Sequence, residues 1–150
     1  MTEDVWLSLD GLIAEREARR ARERAEEAQA LAQKAEAART FAAAFEAYRL
    51  TAEDRDAIMR RIARAFHDGE KELMLFAFPS DLCTDGGRRI HNGLKGWEET
   101  LPGAARQVHA FWRDALRPRG FRFFCRVVTF PEGMPGDVGV FFSWPKELEE

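Results

Sequence analysis

Hydrophobic and polar positions in the first third of the chain follow one long pattern, which predicts a single helix from about Leu12 to Leu50. The segment has no proline and, after Gly11, no glycine, and it is rich in residues that lose little conformational freedom in a helix. Alanines recur in alternating steps of four and three, the heptad spacing of a helix-pairing seam. This alanine seam comprises Ala14, Ala18, Ala21, Ala25, Ala28, Ala32 and Ala35, and from Ala38 it gives way to Phe41, Phe45 and Tyr48. We therefore expect a coiled-coil-like helix about 60 Å long.

The pattern breaks at Leu50 and restarts as a second helix. Thr51 is followed three residues later by Asp54, an arrangement typical of a capping box at a helix start. Apolar residues then repeat at helical spacing until Asp68 and Gly69, where glycine favours the end of a helix. The apolar face consists of Ile58, Met59, Ile62, Ala63 and Phe66.

Shorter elements follow in the rest of the chain. The apolar run Leu73–Phe78, ended by Pro79, predicts a buried strand. Thr84 or Asp85 is placed to cap a short helix around Ile90, and Trp97 is expected to anchor the next loop in the core.

The C-terminal third predicts one more helix and a hairpin. Apolar residues repeat at helical spacing from Leu101 to Leu116, and this helix must end at Arg117 because Pro118 follows. Alternation of period two over residues 121–130 and 138–144 predicts two strands around a turn rich in proline and glycine. The two apolar rows of the hairpin should share the core face.

This order of elements predicts an α+β protein. The N-terminal lead and the long helix, which is charged and rich in alanine, occupy residues 1–50, and a small domain over residues 51–150 carries a mostly antiparallel three-stranded sheet packed by helices. A chain of 150 residues with a formal net charge of −3 suits one globular domain with an appendage.

The N-terminal lead, residues 1–11, carries several large apolar residues around Trp6 and Leu7. These residues either dock on a neighbour or start the long helix from an N-cap at Thr2 or Ser8. Acidic residues interrupt the lead, so it does not resemble a signal peptide, and no stretch is apolar enough to span a bilayer. The two cysteines lack CxxC spacing, which favours reduced thiols and a cytoplasmic protein.

A loop between the first strand and the short helix is a candidate phosphate site. Gly86 and Gly87 would let an anion approach the backbone amides, and Arg88 and Arg89 would neutralise its charge. The loop fits no known phosphate motif, and Asp85 places a negative charge where the anion would sit. An ordinary structured turn is the competing interpretation.

The second face of the hairpin is a candidate nucleic-acid surface. Arg122, Phe124 and Arg126 alternate there, and arginines interleaved with aromatic rings stack unpaired bases when the sheet is exposed. The competing interpretation places this face under a helix, with the arginine stems packed and their charged ends in water.

No catalytic or metal-binding motif is present in the sequence. Neither Cys83 nor Cys125 has a histidine at a spacing that indicates catalysis, and the spacings HxxxH, HExxH and CxxC are absent. We therefore expect no cofactor and no metal, and an enzyme that uses the Ser80–Asn92 loop ranks last among the hypotheses.

Two functional hypotheses remain. The first is a non-enzymatic assembly or protein-interaction protein whose long helix pairs with its own copy or with another protein's helix, through the alanine seam, Phe41 and Phe45. The alternative is a module that binds a phosphate ligand or single-stranded nucleic acid through the arginines of the α+β domain. The balanced charge excludes a strongly basic protein that coats nucleic acid.

Overall fold

The computed structural model describes residues 8–145 and confirms the α+β fold. The helices are α1 (Leu9–Ala47), α2 (Ala52–His67), α3 (Arg88–Asn92) and α4 (Gly103–Phe111), and the strands are β1 (Glu72–Pro79), β2 (Arg122–Val127) and β3 (Asp137–Ser143). Most of the predicted N-terminal lead, including Trp6 and Leu7, lies outside the described residues, as does the tail 146–150. None of the described helices is long and apolar enough to cross a membrane.

Helix α1 begins three residues earlier than expected and ends three residues earlier. Of the two candidate N-caps, Ser8 accepts a hydrogen bond from the amide of Gly11 at 3.1 Å, and Thr2 lies outside the described residues. The chain divides into two compact units between Ala42 and Ala43, so the last turn of α1 belongs to the second unit. That residues 51–150 fold as a domain without this turn stays a prediction.

The sheet is fully antiparallel, with strand order β1-β3-β2. The central strand β3 is buried from Val138 to Phe142 because it has a neighbour on each side. The expected sharing of one face by the two apolar rows is confirmed, since the row on β2 lies directly opposite the row on β3. The opposed pairs are Phe123 with Phe142, Cys125 with Val140, and Val127 with Val138.

The prediction of a buried β1 is wrong for most of the strand. β1 is an edge strand, so helices cover only its core face, and Met74 on the other face is 45% exposed. A bulge lies between Met74 and Phe76. Arg61 of α2 donates hydrogen bonds to the carbonyl oxygens of Leu75 (2.9 Å) and Met74 (3.2 Å), which satisfies backbone acceptors near this bulge.

Helix α2 begins as predicted, but of its predicted apolar face only Ile58 and Ile62 are buried, whereas Met59, Ala63 and Phe66 are exposed. The Thr51 hydroxyl accepts from the Asp54 amide, and the Asp54 carboxylate accepts from the Thr51 amide, both at 3.0 Å. The buried residues Ile58, Ile62 and Ala65 lie in the hydrophobic core together with Phe78 and Phe142. The capping box therefore fixes where α2 begins, and the apolar repeat fixes which face it buries.

The predicted helix 101–116 has an irregular second half. Helix α4 continues into a π turn, Trp112–Leu116, in which the Arg117 amide donates to the Trp112 carbonyl oxygen five residues earlier. A 3₁₀ turn over Arg117–Arg119 then ends at Gly120, which has a positive φ of 96°. Helical periodicity alone does not distinguish a π turn from continued α-helix.

The last turn of α1 packs directly against the start of α4 at Gly103. A Cβ atom on Gly103 would lie 2.3 Å from the Glu46 Cα and 2.3 Å from the Phe45 carbonyl oxygen. Only glycine leaves room for this contact between two backbones. The Glu46 carboxylate accepts hydrogen bonds from the Gly103 amide (3.1 Å) and from Arg106 Nη2 (2.5 Å), and these bonds lower the pKa of Glu46.

Phe45 enters the core at the same place. Its ring centroid lies 5.3 Å from that of Phe78 and 5.8 Å from that of Phe76. The half-buried ring therefore joins the end of α1 to β1, beside the contact at Gly103.

We expect Gly103→Ala to lower the free energy of unfolding by about 3 kcal/mol, because backbone atoms rather than flexible side chains occupy the space that the methyl group needs. Urea unfolding followed by circular dichroism measures the change. Gly69→Ala is the matched control: no atom lies within 4 Å of the added methyl group, so only its positive φ costs about 1 kcal/mol. A loss at Gly103 no larger than the loss at Gly69 would contradict this packing.

Candidate functional surfaces

The N-terminal part of α1 presents the entire predicted alanine seam to solvent. No residue of α1 is buried, and every residue from Ala14 to Phe41 is exposed. Leu31 is 69% exposed, and Glu36 and Arg39 form an ion pair at 2.6 Å on the helix surface. The seam is therefore accessible to a partner along its whole length.

The two phenylalanines of the predicted interaction helix have different environments. Phe41 is 46% exposed, whereas Phe45 is half-buried against the rings of β1. Tyr48 follows Phe45 and donates a hydrogen bond from its hydroxyl to the Asp54 carboxylate at 2.5 Å. The seam and Phe41 are thus accessible, and Phe45 contributes to the core of the second unit.

In the glycine loop the backbone amides already have an acceptor. The Asp85 carboxylate accepts hydrogen bonds from the amides of Gly87 and Arg89, both at 3.0 Å. Gly86 and Gly87 have positive φ angles of 71° and 86°, and Arg88 and Arg89 are exposed. An anion would have to displace Asp85 from these amides, and phosphate binding by the loop stays a prediction.

The second face of the sheet is a closed stack of side chains. The rings of Phe124 and Phe141 lie parallel, with centroids 4.9 Å apart, and the Arg126 guanidinium lies 4.2 Å from the Phe141 centroid. Arg126 also pairs with Glu72 at 2.9 Å. Phe141 is only 3% exposed, so a base would have to displace Arg126 to stack on it, whereas Arg122 and the end of Arg126 remain accessible.

The thiols lie in apolar surroundings. Burial raises the pKa of Cys83 to about 11, with a further contribution from Asp85, and burial also raises the pKa of Cys125. Both cysteines are free. Within residues 8–145, no three His, Cys, Asp or Glu side chains converge as a metal ion would require.

A cavity that the sequence did not predict lies between the loop before α4, the end of α4 and β2. Its volume is about 430 Å³, and it is lined by Trp97, Glu98, His109, Trp112, Arg113, Arg117 and Phe123. We call it the aromatic cavity. Two apolar grooves of about 340 and 330 Å³ occur elsewhere on the second unit, and neither combines rings with as many charged groups.

The aromatic side chains that line the aromatic cavity contact one another. Phe123 of β2 is the central ring: Trp97 lies parallel to it at 6.0 Å, Trp112 lies at 5.5 Å, and His109 meets it edge-on at 5.2 Å. The Trp112 indole donates to the Phe121 carbonyl oxygen at 2.9 Å, which fixes that ring in place.

Charged groups surround His109 at this cavity. Burial lowers the pKa of His109, and Arg113 lowers it further, whereas Glu98 raises it. The net shift is downward, which favours the neutral imidazole. A neutral imidazole offers one donor and one acceptor to a ligand.

Sequence analysis identified Trp97 only as an expected core anchor and overlooked the other cavity residues. One signal was present, because His109, Arg113 and Arg117 are spaced by four and so lie along one side of a helix. The contributions of Trp97 and Phe123 come from distant parts of the chain and leave no local pattern.

No family model matches this chain, and neither a curated protein nor a solved structure is significantly similar to it.

We expect both cysteines to react slowly with a thiol reagent such as Ellman's reagent at pH 8. Their raised pKa values keep the thiols protonated, and the thiolate is the reactive form. Release of the coloured product should be at least about tenfold slower than for the same protein in denaturant, which serves as the control. A rapid phase that consumes one thiol of the native protein would contradict this environment.

Proposed function

We propose that this is a non-enzymatic assembly protein whose N-terminal helix pairs with the same helix of a second copy. The observation that carries the proposal is the continuous exposure of α1 from Ala14 to Phe41, which includes every position of the alanine seam. Alanine stabilises a solvated helix at any position, whereas its recurrence at heptad spacing also allows two helix backbones to approach closely.

The energetics of α1 favour a partner. Isolated helices are marginally stable in water, and most helical stability in proteins comes from packing of one face. On α1, between Ala14 and Phe41, charged side chains and their pairs supply only a few tenths of a kcal/mol each. Burial of the seam against another helix would add stabilisation at about 25 cal/mol for each Å² of apolar area.

The same numbers predict a weak pairing. Alanine methyl groups bury little area, so two such helices associate closely but reversibly. Phe41 extends the apolar surface at the C-terminal end of the seam, and interleaved glutamates and arginines on the other faces keep the helices from binding nonspecifically. Docking on the helix of a different protein is the competing form of this function.

The nucleic-acid alternative has one observation in its favour: Arg88, Arg89 and Arg122 are all exposed. Against it, Asp85 holds the loop amides and Glu72 pairs with Arg126. Retention on heparin that falls steeply with salt would favour this alternative over helix pairing.

Seam variants test the proposal directly. Ala21→Glu with Ala28→Glu places charges inside the seam, and Ala30→Glu with Ala37→Glu makes the same chemical change on the opposite side of α1. We expect light scattering to show a concentration-dependent dimer for the unchanged chain and for the Ala30/Ala37 variant. The Ala21/Ala28 variant should remain monomeric, because a buried unpaired carboxylate is costly.

Two outcomes would contradict self-pairing. One is a monomer at every accessible concentration of the unchanged chain, which would leave a different protein's helix as the partner. The other is equal loss of the dimer in both variants, which would mean that the seam does not form the interface. Circular dichroism of each variant provides the control that α1 remains helical.

A further inference from the structure

We infer that the aromatic cavity binds a planar aromatic ligand that carries an anionic group, and that a nucleoside monophosphate is the chemical class it fits. The inference is independent of the proposed role of α1. It rests on the composition of the cavity walls, on polar groups there that have no protein partner, and on the placement of two arginines.

The walls suit a flat ring. Trp97, Trp112 and His109 pack around the buried Phe123 ring and line one space of about 430 Å³, a volume within the range of small-molecule sites. Stacking of a base on an aromatic side chain is favourable and tolerates any base. Parallel packing of Trp97 on Phe123 at an interplanar angle of 4° makes this wall rigid.

Polar groups at the cavity have no hydrogen-bond partner among residues 8–145. These groups are the Glu98 carboxylate, the ring nitrogens of His109 and the indole N–H of Trp97; none of them is a fully buried unsatisfied atom, so solvent reaches them, whereas the Trp112 indole is bonded to Phe121. A few convergent polar groups in a mostly aromatic cavity are what fixes the orientation of a small ligand. Glu98 accepts from an amino group or ring N–H, and His109 both donates and accepts.

Two arginines supply the anion site. The Arg117 guanidinium lies 5.7 Å from the Trp112 ring centroid, over the ring, and Arg113 reaches the same cavity while its Nε contacts the exposed Asp114. Guanidinium groups bind phosphate through paired, charge-assisted hydrogen bonds. A ligand that satisfies both Glu98 and the arginines must carry both a donor and an anion.

The π turn produces this arrangement. In an α-helix, residues five apart are separated by about 140° around the axis, so Arg117 would not lie over Trp112. The wider π turn over Trp112–Leu116 brings the two side chains together. π turns are rare and occur frequently at functional sites.

Isothermal titration calorimetry of the full chain tests the inference with adenosine 5′-monophosphate, cytidine 5′-monophosphate, adenosine and inorganic phosphate. We expect at least one of the two nucleotides to bind, adenosine to bind roughly tenfold more weakly than the adenine nucleotide, and phosphate alone to give no measurable heat. Absence of binding by both nucleotides, or phosphate binding as tight as nucleotide binding, would overturn the inference.

Three variants test whether the nucleotide binds in the aromatic cavity. Arg117→Gln should weaken nucleotide binding roughly tenfold and leave adenosine binding unchanged, whereas Glu98→Gln should weaken both. Arg119→Gln is the matched control, since Arg119 is exposed and does not line the cavity. Nucleotide affinity that is the same in Arg117→Gln, Glu98→Gln and the control would place the ligand elsewhere and overturn the inference.

Discussion

One close contact between backbones, at Gly103, joins the last turn of α1 to the rest of the second unit. There the start of α4 lies against Phe45 and Glu46, and a single methyl group would not fit. The Glu46 carboxylate accepts hydrogen bonds from the Gly103 amide and from Arg106. It therefore provides an acceptor for a backbone amide at the N-terminus of α4 and also forms an ion pair with Arg106. Phe45 follows into the core beside Phe76 and Phe78.

Helix α1 contributes residues to both units. Its last turn packs into the core of the second unit, and the helix residues before Ala43 that the structure describes belong to the first unit, with none of them buried. A partner that binds the alanine seam would therefore act on a helix whose end is anchored by packing.

Local sequence patterns predicted much of this fold, because the forces involved act over a few residues. The capping box at Thr51 and Asp54, the apolar repeat of α2 and the alternation on β2 and β3 are all short-range signals. The Gly103 contact escaped prediction since it joins residues 57 positions apart. The exposure of β1 depends on strand order, which its apolar run does not encode, and the π turn at Trp112 shares the periodicity of an ordinary helix.

The candidate sites likewise divide into features that short-range patterns indicate and features that only the tertiary structure reveals. The negative charge of Asp85 at the loop amides was predicted, because a short-range pattern sufficed; the alanines of the seam are exposed, and pairing through them stays a prediction. The aromatic cavity required Trp97, His109 and Phe123 to meet from three separate elements, and only the tertiary structure brings them together. Burial of Phe141 under Phe124 and Arg126 likewise depends on the register between β2 and β3.

Hydrogen exchange along α1 tests most directly whether this helix is anchored at one end and available for pairing along the rest. The account predicts that amides around Phe45 exchange as slowly as those of the core, at any protein concentration. Amides between Ala14 and Phe41 should exchange faster in dilute protein and become protected as the concentration rises and the helices pair. Fast exchange around Phe45, or exchange between Ala14 and Phe41 that does not change with concentration, would contradict the account.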